Sequence, residues 1–241
     1  MLQAPVYYAD PYADWLDDFA MTFQIVLVGK DGIVLGSDRL FAERGLRALL
    51  QKQRTTLQRT TGTKICTAAD NAVVCSFAGG PYSETIARRI VTDCNPLGRS
   101  DIDWRNCLEV AAKNITDYEE HIVDEVFVIR TDNRSVVKII RQQKDDPTFT
   151  PVTGHMFSGI ETDAIIVPKL FWRADMECDE LRTLAVVAVV LASQEAPHLI
   201  GGGIDVVTVR NDGRTAQVQY SEDEGKKLHN DFIEKVRQSF H

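Results

Sequence analysis

The stretch MTFQIVLVGKDGIVLGSDR, residues 21–39, sets a threonine behind a methionine at the head of the first β-rich apolar run. A threonine hydroxyl is a weak nucleophile unless a base stands beside it. Were the chain cut before Thr22, the new α-amino group, with a reference pKa of roughly 7.7–8.0, would sit on the same residue and could take the hydroxyl proton directly or through a water. Such a site needs a cation close by, which favours the neutral amine and the alkoxide alike, and an anion that keeps the cation charged and in place. It also needs a backbone N–H that the developing oxyanion can approach with no side chain in the way. The chain carries these residue types in Lys64 of TGTKIC, Asp38 of LGSDR and Gly79 of SFAGG, but their spacing alone does not single them out for these three parts. Taken singly, each residue has a plain structural use: Thr22 as a β-branched strand residue, Asp38 as a turn former, Lys64 as a solvated strand residue, Gly79-Gly80 as a turn.

The elements around them follow from periodicity and turn chemistry. Residues 23–37 read as a hairpin about Asp31-Gly32, and the nearly unbroken apolar character of both strands predicts a sheet covered on both faces. The polar segment 43–54 reads as a loop or short helix, and 55–80 as two or three further strands with a turn at Asp70-Asn71. A helix over 82–94 opens with Ser83 as its N-cap and turns Ile86, Ile90 and Val91 to one side. A second, over 100–122, turns Ile102, Cys107, Leu108 and Ala111 inward. A hairpin about Asp132-Asn133, a helix pair over 163–196 with Pro168 bending or interrupting its first member, a hairpin about Asp212-Gly213 and an exposed terminal helix complete the chain. Strands and helix pairs in segregated clusters suit layers better than a doubly wound parallel sheet. The expected architecture is α+β, with two antiparallel sheets between two helix layers, an αββα sandwich.

Together these features resemble the proteasome family of N-terminal nucleophile (Ntn) hydrolases, especially the bacterial ring peptidases of the HslV type, from about Thr22 to Tyr220. The family's processed threonine, hairpin turn and small-residue-Asp motif are matched by Thr22, Lys30-Asp31-Gly32 and Ser37-Asp38-Arg39. Its later lysine and Ala-Gly turn are matched by Lys64-Ile65 and Phe77-Ala78-Gly79-Gly80. Ser158-Gly159 is similar to the family's GSG segment, whose serine hydrogen-bonds near the terminal amine, although Phe157 replaces its first glycine. Many members carry an Asp and a Ser ahead of a Gly-rich turn, where this chain has Pro197 and Ile200. The resemblance implies a threonine-type peptidase acting through Thr22, with Asp38, Lys64, Gly79 and Ser158 in support and no cofactor. Phe77 would lie near the pocket for the residue preceding the scissile bond. It implies a peptide or unfolded-protein substrate, self-association into a ring or stack, and an ATP-dependent unfoldase at the entrance. Two alternatives stay open, an inert scaffold or binding subunit and an amidase for a small substrate.

Residues 22–241 would form this one domain, and 1–21 an acidic leader or upstream extension with four aspartates, five aromatics and no Lys or Arg in its first twenty positions. A start at Met21 would make it an initiator lost to an aminopeptidase; with a start at Met1, the chain would have to cut itself before Thr22 or else remain blocked. The leader does not fit a secretory signal. A net charge of −8 argues against nucleic acid, and the longest strongly apolar run, 184–192, is about half the roughly 20 residues of a membrane span and reads as a buried helix segment. Five cysteines without ligand or CxxC spacing suit a reduced, cytoplasmic setting. His121, His155, His198, His229 and His241 show no paired spacing, so no metal is expected.

Overall fold

The computed structural model describes residues 22–43, 58–80, 82–113, 123–142, 146–160 and 162–239. The leader, Met21, residues 44–54, His121 and His241 lie outside them. Six strands come first: β1 (Phe23–Val28), β2 (Gly32–Asp38), β3 (Leu40–Glu43), β4 (Gln58–Thr61), β5 (Ile65–Thr67) and β6 (Val73–Gly79). Helices α1 (Ser83–Asp93) and α2 (Asp101–Lys113) follow, then β7 (Val123–Arg130), β8 (Ser135–Gln142), β9 (Thr148–Pro151) and β10 (His155–Gly159). A 3-10 turn at Asp163–Ile165 leads into α3 (Ile166–Phe171) and α4 (Cys178–Glu195), and β11 (Ile204–Arg210), β12 (Thr215–Tyr220) and α5 (Glu222–Gln238) end the described chain.

Two five-stranded antiparallel sheets result, β10-β1-β2-β11-β12 and β5-β6-β7-β8-β9, with β3-β4 as a separate pair. Alternation along β1 explains their stacking. Phe23, Ile25 and Leu27 point to a cluster with Leu181, Leu184 and Ala188 of α4, whereas Val26 points to a second cluster shared with Ile65, Val74 and Phe127 of the other sheet. The outer face of that other sheet packs against Ile86 and Ile90 of α1 and Trp104 and Leu108 of α2. Both faces of each sheet are therefore covered, in four layers αββα as expected. The run 184–192 is a buried helix segment because α4 lies between the first sheet and helices α3 and α5: every residue from Leu184 to Val190 is buried. Among the described residues no helix is long and apolar enough to cross a membrane.

Several local expectations need correction. Ser83 does not cap α1; the N-cap is Tyr82, and the Ser83 hydroxyl instead donates to the Gly80 carbonyl at 2.7 Å. Ile102 is not inward but 74 % exposed. The buried stripe of α2 is Trp104, Leu108, Ala111 and Ala112, from whose first member Ile102 lies about 200° around the helix. Cys107 is half-buried, as is Val91 on α1. Pro168 does not break a longer helix. It stands in the first turn of α3, where a missing N–H leaves no helical bond unmade. The strand β10, which carries Ser158, was not anticipated as a strand.

Candidate active site

The hairpin of β1 and β2 brings Thr22 to Asp38. Gln24 faces Ser37 in the register, so one step further along the ladder Phe23 meets Asp38, and the Phe23 N–H donates to Asp38 Oδ1 at 3.1 Å. Lys64, in the residue before β5, reaches across from the second sheet and donates to both carboxylate oxygens, at 2.9 and 3.0 Å. Asp38 Oδ2 also accepts the N–H of Leu40 at 3.1 Å and of Gly201 at 3.3 Å. Five hydrogen bonds to one carboxylate favour its ionised form. Asp38 is fully buried and Lys64 only 1 % exposed. Burial pushes the Lys64 ammonium below its ordinary value and the Asp38 carboxyl above its own, each opposed by the charge of the other. The Phe41 ring, 5.2 Å from Lys64 Nζ, closes another side of the ammonium.

Two glycine turns end the neighbouring strands β6 and β10. Gly79 ends β6 with φ +88°, and a Cβ there would come 2.1 Å from the Val123 carbonyl oxygen. Glycine is required at this position by the fold itself, a reason separate from any open approach for an oxyanion. Gly159 ends β10 with φ +95°, and its Cβ would lie 1.8 Å from the Thr22 carbonyl oxygen and 3.5 Å from Ala78 Cβ. The next residue, Ile160, donates its N–H to that same Thr22 oxygen at 2.8 Å. The turn after β10 thus packs on Thr22, with Ala78 of β6 beside Gly159, and Thr22 is 3 % exposed.

Ser158 faces Gln24 in the β10–β1 register and is buried, with its hydroxyl donating to Glu125 Oε2 of β7. Glu125 also accepts the Gly159 N–H at 2.9 Å and pairs with Lys138 of β8 at 3.0 Å. Beside it, the Ser76 hydroxyl donates to the Gln24 side-chain oxygen between the sheets. The sequence reading missed Glu125, Lys138, Gln24 and Ser76. The available signal was polar residues set into otherwise apolar strands, such as Glu125 in VDEVFVIR.

Asp38, Lys64 and Ser158 are therefore tied to the head of β1 by hydrogen bonds or strand register, and Gly79 follows Ala78, which lies beside Gly159. Pro197 is exposed and Ile200 buried in the helix-facing cluster; the Gly-rich loop contributes its Gly201 N–H to Asp38 rather than a polar side chain. Phe77, expected near a substrate pocket, is 4 % exposed and belongs to the cluster beneath α1 and α2, its ring 6.3 Å from that of Phe41. Of the histidines, His155 begins β10, His198 follows α4 and His229 lies in α5. SEDEG is a helix N-terminus: Ser221 accepts the Glu224 N–H at 3.3 Å, and the Glu224 carboxylate accepts the Ser221 N–H at 2.8 Å.

No protein-family model and no curated protein matches the chain. Solved structures do. Anbu, described as an ancestral beta-subunit, from Yersinia bercovieri superposes with a TM-score of 0.66 at 13 % identity, covering 90 % of this chain and 96 % of that one. Anbu from Hyphomicrobium sp. strain MC1 gives 0.64 at 13 % identity over 90 and 96 %, and a mutant of it 0.67 at 13 % over 91 and 96 %. The likeness is one of fold: this chain shares the α+β architecture of the Anbu structures, here an αββα sandwich.

Proposed function

We propose that the chain is a threonine-type peptidase of the proteasome and HslV kind, with Thr22 as an N-terminal nucleophile and residues 22–241 as its catalytic domain. One observation carries the reading: Asp38 Oδ1 receives both the Phe23 N–H and Lys64 Nζ, which ties the buried ion pair to the residue next to Thr22. A buried ion pair seldom adds stability over apolar packing, so its place beside a threonine at a strand head favours a chemical use.

In the proposed reaction the Thr22 hydroxyl attacks the scissile carbonyl while its proton passes to the freed α-amine. The Lys64 charge lowers the proton affinity of that amine and steadies the alkoxide, and Asp38 keeps Lys64 charged and fixed. The tetrahedral oxyanion is met by the Gly79 N–H, a donor whose loss typically costs about 100- to 1,000-fold in rate. Collapse expels the amine product, which takes the proton, and leaves an ester on Thr22 that water hydrolyses.

Peptide or unfolded-protein substrates, a homo-oligomeric ring or stack, an ATP-dependent unfoldase and a cytoplasmic setting accompany this proposal. Residues 1–21 would be a removable leader. One protein of similar fold, from Yersinia bercovieri, is itself described as an ancestral beta-subunit. The burial of Thr22, 3 % exposed, together with Pro197 and Ile200, favours a second reading, an inert scaffold subunit.

A threonine-directed covalent inhibitor separates the two. Intact mass should rise by one adduct at Thr22 in the native chain and not in Thr22→Ala; no adduct in the native chain would mean the inert reading. Peptide and acyl-amide reporters run side by side then tell a peptidase from an amidase.

A further inference from the structure

We propose that Glu125 is a positioning residue: it accepts the hydrogen bond that the Ser158 hydroxyl donates, so that the Ser158 oxygen can only accept a hydrogen bond from the freed Thr22 amine. This rests on the threonine-nucleophile reading.

Both oxygens of Glu125 are engaged. Oε2 accepts the Ser158 hydroxyl and the Gly159 N–H at 2.9 Å, and Oε1 pairs with Lys138 Nζ at 3.0 Å. Lys138 also donates to the Phe157 carbonyl at 3.3 Å, so the backbone is gripped on both sides of Ser158. The two side chains are 18 % and 11 % exposed, and charges placed this far from water are costly unless they are paired. Glu125 faces Ala78 in the β6–β7 register, one step from Gly79 opposite Asp124, which sets the carboxylate beneath the turn proposed to meet the oxyanion.

A serine hydroxyl holds one proton and two lone pairs. With the proton committed to Glu125, the lone pairs remain, and the nearest donor the reaction would create is the amine of Thr22. Thr22 is the diagonal neighbour of Ser158: Gln24 faces Ser158 directly, and residues two apart on a strand share a face. The direction of the bond matters for the chemistry. A hydroxyl that donated to the amine would occupy the one lone pair needed to take the threonine's proton. An acceptor instead holds an N–H and turns the lone pair free.

The test uses the full chain and a β-lactone probe. Thr22 Oγ attacks the lactone carbonyl, its proton goes to the amine, the ring C–O bond breaks, and the released oxygen takes that proton, so the adduct carries the whole probe mass. Adduct formation is followed against probe concentration and pH in wild type, Glu125→Gln, Ser158→Ala and the double variant.

In Glu125→Gln the saturating rate should fall about tenfold or more with half-saturation nearly unchanged, as expected for lost orientation. The acid limb should move to lower pH, because removing a negative charge near an ammonium favours its deprotonation. The double variant should be no slower than the slower single one, and Glu125→Asp should recover part of the rate. A wild-type rate and pH profile in Glu125→Gln, or losses that multiply in the double variant, would overturn the assignment. Should Glu125→Gln fail to fold, Glu125→Asp decides, since it keeps a charge beside Lys138 but shortens the reach to Ser158; a wild-type rate there overturns it. A wild-type chain without adduct overturns the nucleophile and this role together, whereas a wild-type adduct with Glu125→Gln unaffected overturns this role alone.

Discussion

The space between the two sheets has two unlike ends. Away from Thr22 it is filled by Val26, Ile33, Leu35, Phe127, Ile129 and Val207, an apolar cluster in which shape and volume do the work. Toward Thr22 the same strands carry Gln24, Ser37, Asp38, Ser76, Glu125, Ser158 and Asp205 at or near the inward positions. Both ends are built on one pair of sheets with one alternation, so the backbone does not distinguish them. The side chains do. Apolar burial stabilises at about 25 cal/mol per Å², whereas the polar end must first offset the desolvation of its charges before it contributes anything. A protein that needed only to fold would gain little from the second arrangement, and local rules are broken most often where chemistry is done.

Substitutions at the two ends should therefore fail in different ways. Lys64→Ala leaves a buried carboxylate without its cation. It should lower stability by about 3–5 kcal/mol and the Thr22 adduct rate by about 10²-fold or more, read by thermal melting and intact mass. Ile129→Ala, fully buried at the apolar end, should lose about 2–5 kcal/mol of stability as well. Below its melting temperature, however, its adduct rate should match wild type. Equal rate losses in both variants would erase the distinction between the ends.

A smaller effect belongs to His155, which opens β10 opposite Leu27, away from Ser158. Partial burial, with Lys169 adding to it, holds its imidazole below the ordinary value. The neutral form is thus favoured in the folded chain. Its contribution to stability is present above the unfolded pKa of about 6.5 and is lost as pH falls through the lower folded value. His155→Gln should flatten this acid-side slope in melts between pH 7.5 and 5 while leaving the adduct rate unchanged. An unchanged slope would show that His155 does not titrate in this way.

Much of the fold was legible because the hairpins announce themselves. Asp31-Gly32, Asp132-Asn133 and Asp212-Gly213 each join two apolar runs, and each pair of strands formed as expected. The hairpin alone also brings Thr22 near Asp38, since its register follows from the turn. Lys64 could be placed only by resemblance, because nothing local says which lysine crosses between sheets. Ile102 was misplaced because one residue in the first turn of a helix fits an apolar pattern without lying on its buried stripe. Glu125 and the strand β10 were missed for a related reason. Their roles depend on which strands become neighbours, and HMFSG has no alternation strong enough to show it.

The central proposition is that Thr22 works as residue one. Sequencing the amino terminus of the purified, inhibitor-reactive protein tests it most directly. A chain that begins at Thr22 is the expected result; a reactive chain still carrying Met21 or any earlier residue would contradict it.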